Sequence, residues 1–321
     1  MFLFKVTGFS LALLSMVLYS LYMVPRKKSS IPQSVYTLWM GIGILFSTTI
    51  LGAATGGLQL VKPMDYVMMF VCGVVWATGS DAYCRAVSLI GLSRSTPIKN
   101  ISAALGTLLG IVVFGEFSLS NIQPLIMAGL GSIAVVASAT ILGRVENIDE
   151  STNSEVSVNP ASDKRTIIKG VLFALWAAVA YTIYTIPMKI IYSHHVTPSA
   201  FLLYMGHGCF IGMVLIGVID TRMKGHSIRG YFTGANLPNW KASLAPQLSG
   251  AMWALGSLFA NIAVKHIGVA ITWPITKSTL FAVAYGVFVL KEVDINKNKR
   301  DLYIGLLLSV IGIVLLAMAL G

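Results

Sequence analysis

Two lysines set in otherwise apolar stretches, Lys99 and Lys277, have the most chemistry to account for in this chain. An ammonium group near the middle of a bilayer costs at least about 2.5–3.5 kcal/mol on insertion scales, so it is kept there for a reason. Each follows a proline, Pro97 two residues before Lys99 and Pro274 three before Lys277. Proline removes a backbone donor and opens the helix around it, freeing carbonyls that can line a polar cavity. Cations beside interrupted helices suit a solute site near the midplane. The charges themselves could hold an anion, or hydrogen bonds could hold a neutral polyol. For the second case Asn100, Thr276 and Asn261 offer hydrogen-bonding groups, and Trp76 and Trp253 offer flat apolar faces. Tyr22 and Tyr184 offer a ring and a hydroxyl together, or serve as interfacial anchors. The competing reading of the lysines is structural: each pairs with a carbonyl or carboxylate, or reaches the interface on its long stem.

Asp81 and Arg85 stand at i and i+4 and can meet on one helix face, as a structural ion pair or as a gate that breaks during a transport cycle. Asp81 is also a candidate for proton coupling. His207, inside a Gly-His-Gly segment, could titrate or simply bond to a neighbouring helix. Glu116 and Glu292 are expected to be structural. His194 and His195 stand alone, with no His-Glu-x-x-His spacing for a metal. No nucleophile–base pair is visible either, so neither an enzyme nor a cofactor is expected.

The elements that position these residues follow from composition. The chain has 321 residues, 56% of them hydrophobic and 11% charged, against about 25% charged in soluble domains. The apolar residues fall into ten blocks near the roughly 20 residues a bilayer-spanning helix needs: 3–24, 33–54, 64–84, 88–114, 122–142, 168–190, 198–219, 244–264, 267–290 and 302–320. The expected class is an all-α polytopic membrane protein with ten transmembrane helices. The first block lacks a small-residue cleavage site and reads as a helix, not a signal peptide. Cys72, Cys84 and Cys209 all lie inside these spans and form no disulfide framework. The net charge of +11 reflects membrane topology, and no nucleic-acid partner is expected.

The chain repeats itself. Tyr19, Tyr22, Pro25 and Lys27 recur as Tyr181, Tyr184, Pro187 and Lys189, a constant 162 residues on. Leu38-Trp-Met-Gly-Ile-Gly43 answers Leu203-Tyr-Met-Gly-His-Gly208, and Gly73-Val-Val-Trp-Ala-Thr-Gly-Ser80 answers Gly250-Ala-Met-Trp-Ala-Leu-Gly-Ser257. Ile90-Gly91 and Pro97-Ile98 answer Ile267-Gly268 and Pro274-Ile275. The domains expected are a five-helix repeat at 1–142, a flexible polar linker at 143–166 and a second repeat at 167–321. An odd helix count turns the second copy upside down, and inverted repeats are typical of secondary transporters. Fifteen of the 23 Lys and Arg residues then fall on one side. This places the first loop, the linker and the last loop in the cytoplasm, with both termini outside.

The stretch Gly91-Leu-Ser-Arg-Ser-Thr-Pro97-Ile98-Lys99-Asn100, continued by Gly106, Gly110 and Phe114-Gly115-Glu116, resembles the fourth-helix signature of the drug/metabolite transporter superfamily (ten-helix, EamA-like). Gly268-Val-Ala, Pro274-Ile275, Gly286 and Lys291-Glu292 are similar to its ninth. The Gly-x-x-Trp-x-x-Gly segments followed by Pro-Ile further resemble the glucose/ribose porter branch of sugar carriers. The resemblance covers nearly the whole chain and implies a central cavity exposed alternately by rocking repeats. The implied function is secondary transport of a small polar metabolite, first of all a sugar or sugar derivative, with or without a coupling proton or cation. Two alternatives stay open: exchange or export of an anionic metabolite (sugar phosphate, nucleotide sugar, amino acid) or of drug-like compounds, and a passive channel or non-transporting scaffold. The partners expected are the solute and the lipid bilayer; the oligomeric state stays open, a monomer being compatible with the sequence.

Overall fold

Prolines decide where several helices stop. The computed structural model describes all residues except 1, 23, 28, 30, 91, 118–121, 145–163, 226, 228–239, 290–294 and 321. Glu292 and most of the expected linker therefore lie outside the described residues. In chain order the helices are α1 (Phe2–Leu21), α2 (Val24–Lys27), α3 (Gln33–Ala54), α4 (Pro63–Ile90) and α5 (Leu92–Leu108), which continues into a π-helical turn (Leu109–Val113). Then come α6 (Ile122–Leu142), α7 (Lys164–Ile183), α8 (Thr185–Ser193), α9 (Pro198–Met223), α10 (Trp240–Ile267), α11 (Val269–Lys277), α12 (Leu280–Phe288) and α13 (Ile295–Met318). No strand occurs among the described residues.

A proline at position i cannot donate to the carbonyl at i−4 and its ring crowds that carbonyl. Pro25 thus ends α1 at Leu21, and Pro187 ends α7 at Ile183, the same device in both copies of the repeat. Pro274 acts differently. Its missing donor frees the carbonyl of Ala270, and the Thr107 hydroxyl on α5 donates to it at 2.9 Å, so α11 survives intact. Position 97 does not break its helix, contrary to expectation: α5 runs through it, and the departure comes later, at the π turn. Thr107→Val keeps the shape but orphans a buried carbonyl, an omission worth about 1–3 kcal/mol. Its expected outcome is a lower melting temperature in detergent, and an unchanged melt would refute the pairing.

Among the described residues, eight helical stretches are long and apolar enough to cross a membrane, α7 with α8 counting as one. The other two expected spans, 88–114 and 267–290, are the interrupted ones, α5 with its π turn and α11 with α12. The last helix begins at Ile295 instead of near 302. Backbone groups beyond the hydrocarbon are still best satisfied within the helix, while the side chains of Asn296 to Arg300 stay wholly or partly exposed. Large apolar side chains face outward along the bundle, among them Phe46, Val67, Leu130, Ile133, Trp176, Leu215 and Ile311. Apolar exposure on this scale is foreign to a water-soluble monomer and normal against lipid. The chain is an integral membrane protein.

Helices from the two halves interleave. α1 packs on α10 as α7 packs on α4, α3 lies between α9 and α10, and α6 packs along α13. Close approach requires glycine at two mirrored crossings. A Cβ on Gly73 of α4 would sit 2.1 Å from the Met205 carbonyl, and one on Gly208 of α9 would sit 1.9 Å from that of Phe70. In the answering pair, Gly43 on α3 faces the Gln247 carbonyl and Gly250 on α10 faces that of Met40, each at 2.4 Å. Lys5 donates to the carbonyl of Leu320, which brings the two ends of the chain to one face and requires an even number of crossings.

Candidate functional site

The interleaved helices enclose a central cavity of about 220 Å3. Trp76 and Tyr83 reach it from α4, where a spacing of seven residues returns to the same face. Thr96, Lys99 and Asn100 reach it from one face of α5, and Tyr19 and Ser20 from α1, with Tyr22 just beyond. Tyr181 comes from α7, Trp253 from α10, and Thr276 and Lys277 from the end of α11. Ser278 and Thr279 close the set at the break between α11 and α12. This brings together Lys99, Asn100, Thr276, Lys277, Trp76, Trp253 and Tyr22, seven of the nine binding residues expected from sequence.

The indoles of Trp76 and Trp253, equivalent positions of the repeat, meet with centroids 4.2 Å apart and planes at 42°. Beside them Lys277 Nζ lies 5.0 Å from the Tyr19 ring centroid, 5.4 Å from Tyr181 and 5.5 Å from Trp273. Ring faces are electron-rich and attract an ammonium group, and the C-terminal end of α11 adds negative dipole. Lys99 Nζ stands 4.8 Å over Tyr83. Among the described residues neither lysine has a carboxylate partner, and no Asp or Glu lines the cavity. Of the structural reading, the pairing of either lysine with an acid is not seen among the described residues. Neighbouring hydroxyls are occupied: Tyr19 with Ser257 at 2.9 Å, Tyr83 with Thr96 at 2.8 Å, and Thr276 donating to the Trp273 carbonyl at 3.0 Å. Asn100 is 1% exposed and neither its side-chain oxygen nor its nitrogen has a protein partner; the Thr279 hydroxyl has none either. Buried polar groups are rarely left unmatched, and both of these line the cavity.

Five sequence candidates fall elsewhere. Asn261 is buried in α10, its amide nitrogen unpartnered, away from the cavity wall. The Tyr184 ring packs edge-on to Trp273 at 5.7 Å, inside the core. His207 packs edge-on to Tyr204 at 6.0 Å and lines neither described cavity. Asp81 and Arg85 do pair, at 2.6 Å, but in a second cavity of about 740 Å3 between the ends of α3, α4, α7 and α9. There Asp220, not anticipated from sequence, accepts from Arg85 at 3.4 Å and from Lys224 at 2.7 Å. Its place four residues before Lys224 was the available signal.

At the opposite end of the bundle, Glu116 follows the π turn and joins three elements. Its carboxylate accepts from Val269 N at 2.9 Å and Ala270 N at 2.8 Å, the first free amides of α11, and from Lys189 of α8 at 2.6 Å. Gly268, at φ +80°, turns the chain so that these amides face Glu116, and a Cβ there would lie 2.5 Å from the carboxylate. Glu116, expected to be structural, thus ties the π turn to α8 and α11.

The fold is shared with a solved crystal structure, at TM-score 0.69 and 14% identity over 97% of each chain. Among curated proteins, the chain is 26% identical to the glucose uptake protein GlcU of Bacillus subtilis (strain 168), over 81% of each sequence. It is 24% identical to the "Probable glucose uptake protein GlcU" of Priestia megaterium, over 81% of this chain and 80% of that one. A family model described as "Sugar transport protein" matches residues 11–319, nearly the whole described bundle, central cavity included. The chain belongs to this sugar transport protein family.

Proposed function

We propose that the chain carries a sugar across the membrane by alternating access, binding it in the central cavity. The observation that carries this reading is the cavity's makeup: an apolar indole pair, unmatched amide and hydroxyl groups, and a helix interrupted at the wall. A sugar has an apolar face for a tryptophan and a rim of hydroxyls for the polar groups. At about 220 Å3 the space falls below the roughly 300–1,000 Å3 of pockets for drug-sized ligands, which favours a monosaccharide. The relatives named for glucose uptake support the same class.

In this reading the segments 1–142 and 167–321 act as inverted halves joined by the linker, and the Lys/Arg excess puts the linker in the cytoplasm. Glu116 and Lys189 then stand at the outer end, and Asp81, Arg85 and Asp220 at the inner end, so that each group ties helices where a pathway would open. The test is tracer counterflow in proteoliposomes across a panel of labelled neutral and acidic monosaccharides. A carrier gives saturable uptake accelerated by unlabelled sugar inside. A channel gives flux without acceleration, and no saturable flux of any sugar would end the proposal.

A further inference from the structure

Resting on the sugar-carrier reading, we infer that the substrate is an acidic monosaccharide whose carboxylate lies between Lys99 and Lys277. Both ammonium groups line one cavity of about 220 Å3 with no acid in its wall among the described residues. Like charges in so small a space raise each other's energy, and buried charge without a counter-charge is costly. The aromatic faces around Lys277 offset part of this, but among the described residues Lys99 stands over Tyr83 alone. A neutral sugar leaves both charges uncompensated. It also needs acceptors for its hydroxyl protons, and the lysines supply only donors.

A carboxylate reverses this balance. It brings acceptor oxygens and one negative charge, and charge-assisted hydrogen bonds are stronger than neutral ones. The unmatched Asn100 amide stands next in sequence to Lys99 on the same wall and can take a ring hydroxyl in both directions, donating from nitrogen and accepting at oxygen. The indole pair holds the apolar face of the ring. A phosphate fits less well, because among the described residues no arginine lines the cavity, and it meets α11 at its C-terminal end, where the helix dipole opposes a doubly charged anion. The repeat reinforces the assignment: Lys99-Asn100 is answered by Thr276-Lys277, so each half contributes one cation and one neutral polar group, in opposite order.

Calorimetric titration of the purified full chain compares D-glucuronate, D-glucose and D-glucose 6-phosphate, which share one ring. Glucuronate is expected to bind at least about tenfold more tightly than glucose. Raising salt from about 0.05 M to about 0.5 M should weaken glucuronate and leave glucose unmoved, a readout that needs no variant. In Lys99→Gln and Lys277→Gln the preference for glucuronate over glucose should fall to within about twofold. Should either variant not fold, the salt series still decides. Glucose binding as tightly as glucuronate overturns the acidic-sugar assignment and leaves the sugar-carrier reading standing. Tighter glucose 6-phosphate binding overturns the carboxylate in favour of phosphate. If no sugar binds and none moves in proteoliposomes, both readings fall.

Discussion

Gly208→Leu is expected to leave no folded protein, and Gly208→Ala to fold with a clearly lower melting temperature. The atoms that a Cβ would strike at this position are backbone, the Phe70 carbonyl at 1.9 Å with the Gly73 Cα behind it at 3.1 Å. Backbone cannot swing aside as a side-chain tip can, so α4 and α9 must separate. Overpacking a tight contact typically costs about 1–3 kcal/mol for added methylene-sized groups, and a leucine exceeds what one crossing can absorb. Gly73→Ala should behave like Gly208→Ala, since it strikes the Met205 carbonyl from the other side. Gly129→Ala is the control, because a Cβ there meets nothing within 4 Å. The measurement is monodispersity by size-exclusion chromatography and melting by tryptophan fluorescence. Equal melts for the Gly208 and Gly129 alanine variants would show that the crossing is looser than the geometry requires.

The second large effect belongs to Glu116. Removing its carboxylate in Glu116→Ala uncaps α11 and leaves the Lys189 ammonium, 27% exposed, without its partner. The combined loss should be about 3 kcal/mol, from unmatched amides and a half-buried charge. Lys189→Met should cost only about 1 kcal/mol, because Glu116 keeps two backbone donors that hydrogen-bond its charge. Glu116→Gln retains one capping oxygen and belongs between them. The diagnostic is therefore the order of melting temperatures, lowest for Glu116→Ala. Equal damage from Lys189→Met would mean that the ion pair and not the helix cap carries the stability.

Much of this was legible in the sequence, for reasons that also explain the failures. Lysines in apolar blocks announce themselves because lipid makes ionisable groups expensive, and Lys99 and Lys277 do converge on one cavity. Trp76 and Trp253 were paired by the repeat, which relates positions across the sequence without any knowledge of their distance. Helix faces were less readable. In a soluble helix the polar stripe marks the outside, but α9 and α10 are apolar nearly all round, so nothing in sequence told which way His207 and Asn261 point. Tyr83 was missed for the same reason, although it lies two turns from Trp76. Glu116 hid its role because its partners are backbone amides, which every residue has and only the fold brings near. The break expected at Pro97 does not occur, since α5 runs through it; at Pro274 the freed carbonyl of Ala270 is taken up by Thr107.

The interleaving of the helices also bears on how the protein is made. During synthesis α1, α3, α4 and α6 enter the bilayer before the helices they pack against, α10, α9, α7 and α13, have left the ribosome. Ser15, Thr48 and Ser80, buried in the finished bundle, must until then face lipid, neighbouring segments or the insertion machinery. Assembly is thus postponed to the end of translation. A chain released after its fifth helix would hold half of each glycine crossing, and is expected to be recognised by quality control as an orphan and not to persist as a stable half-protein.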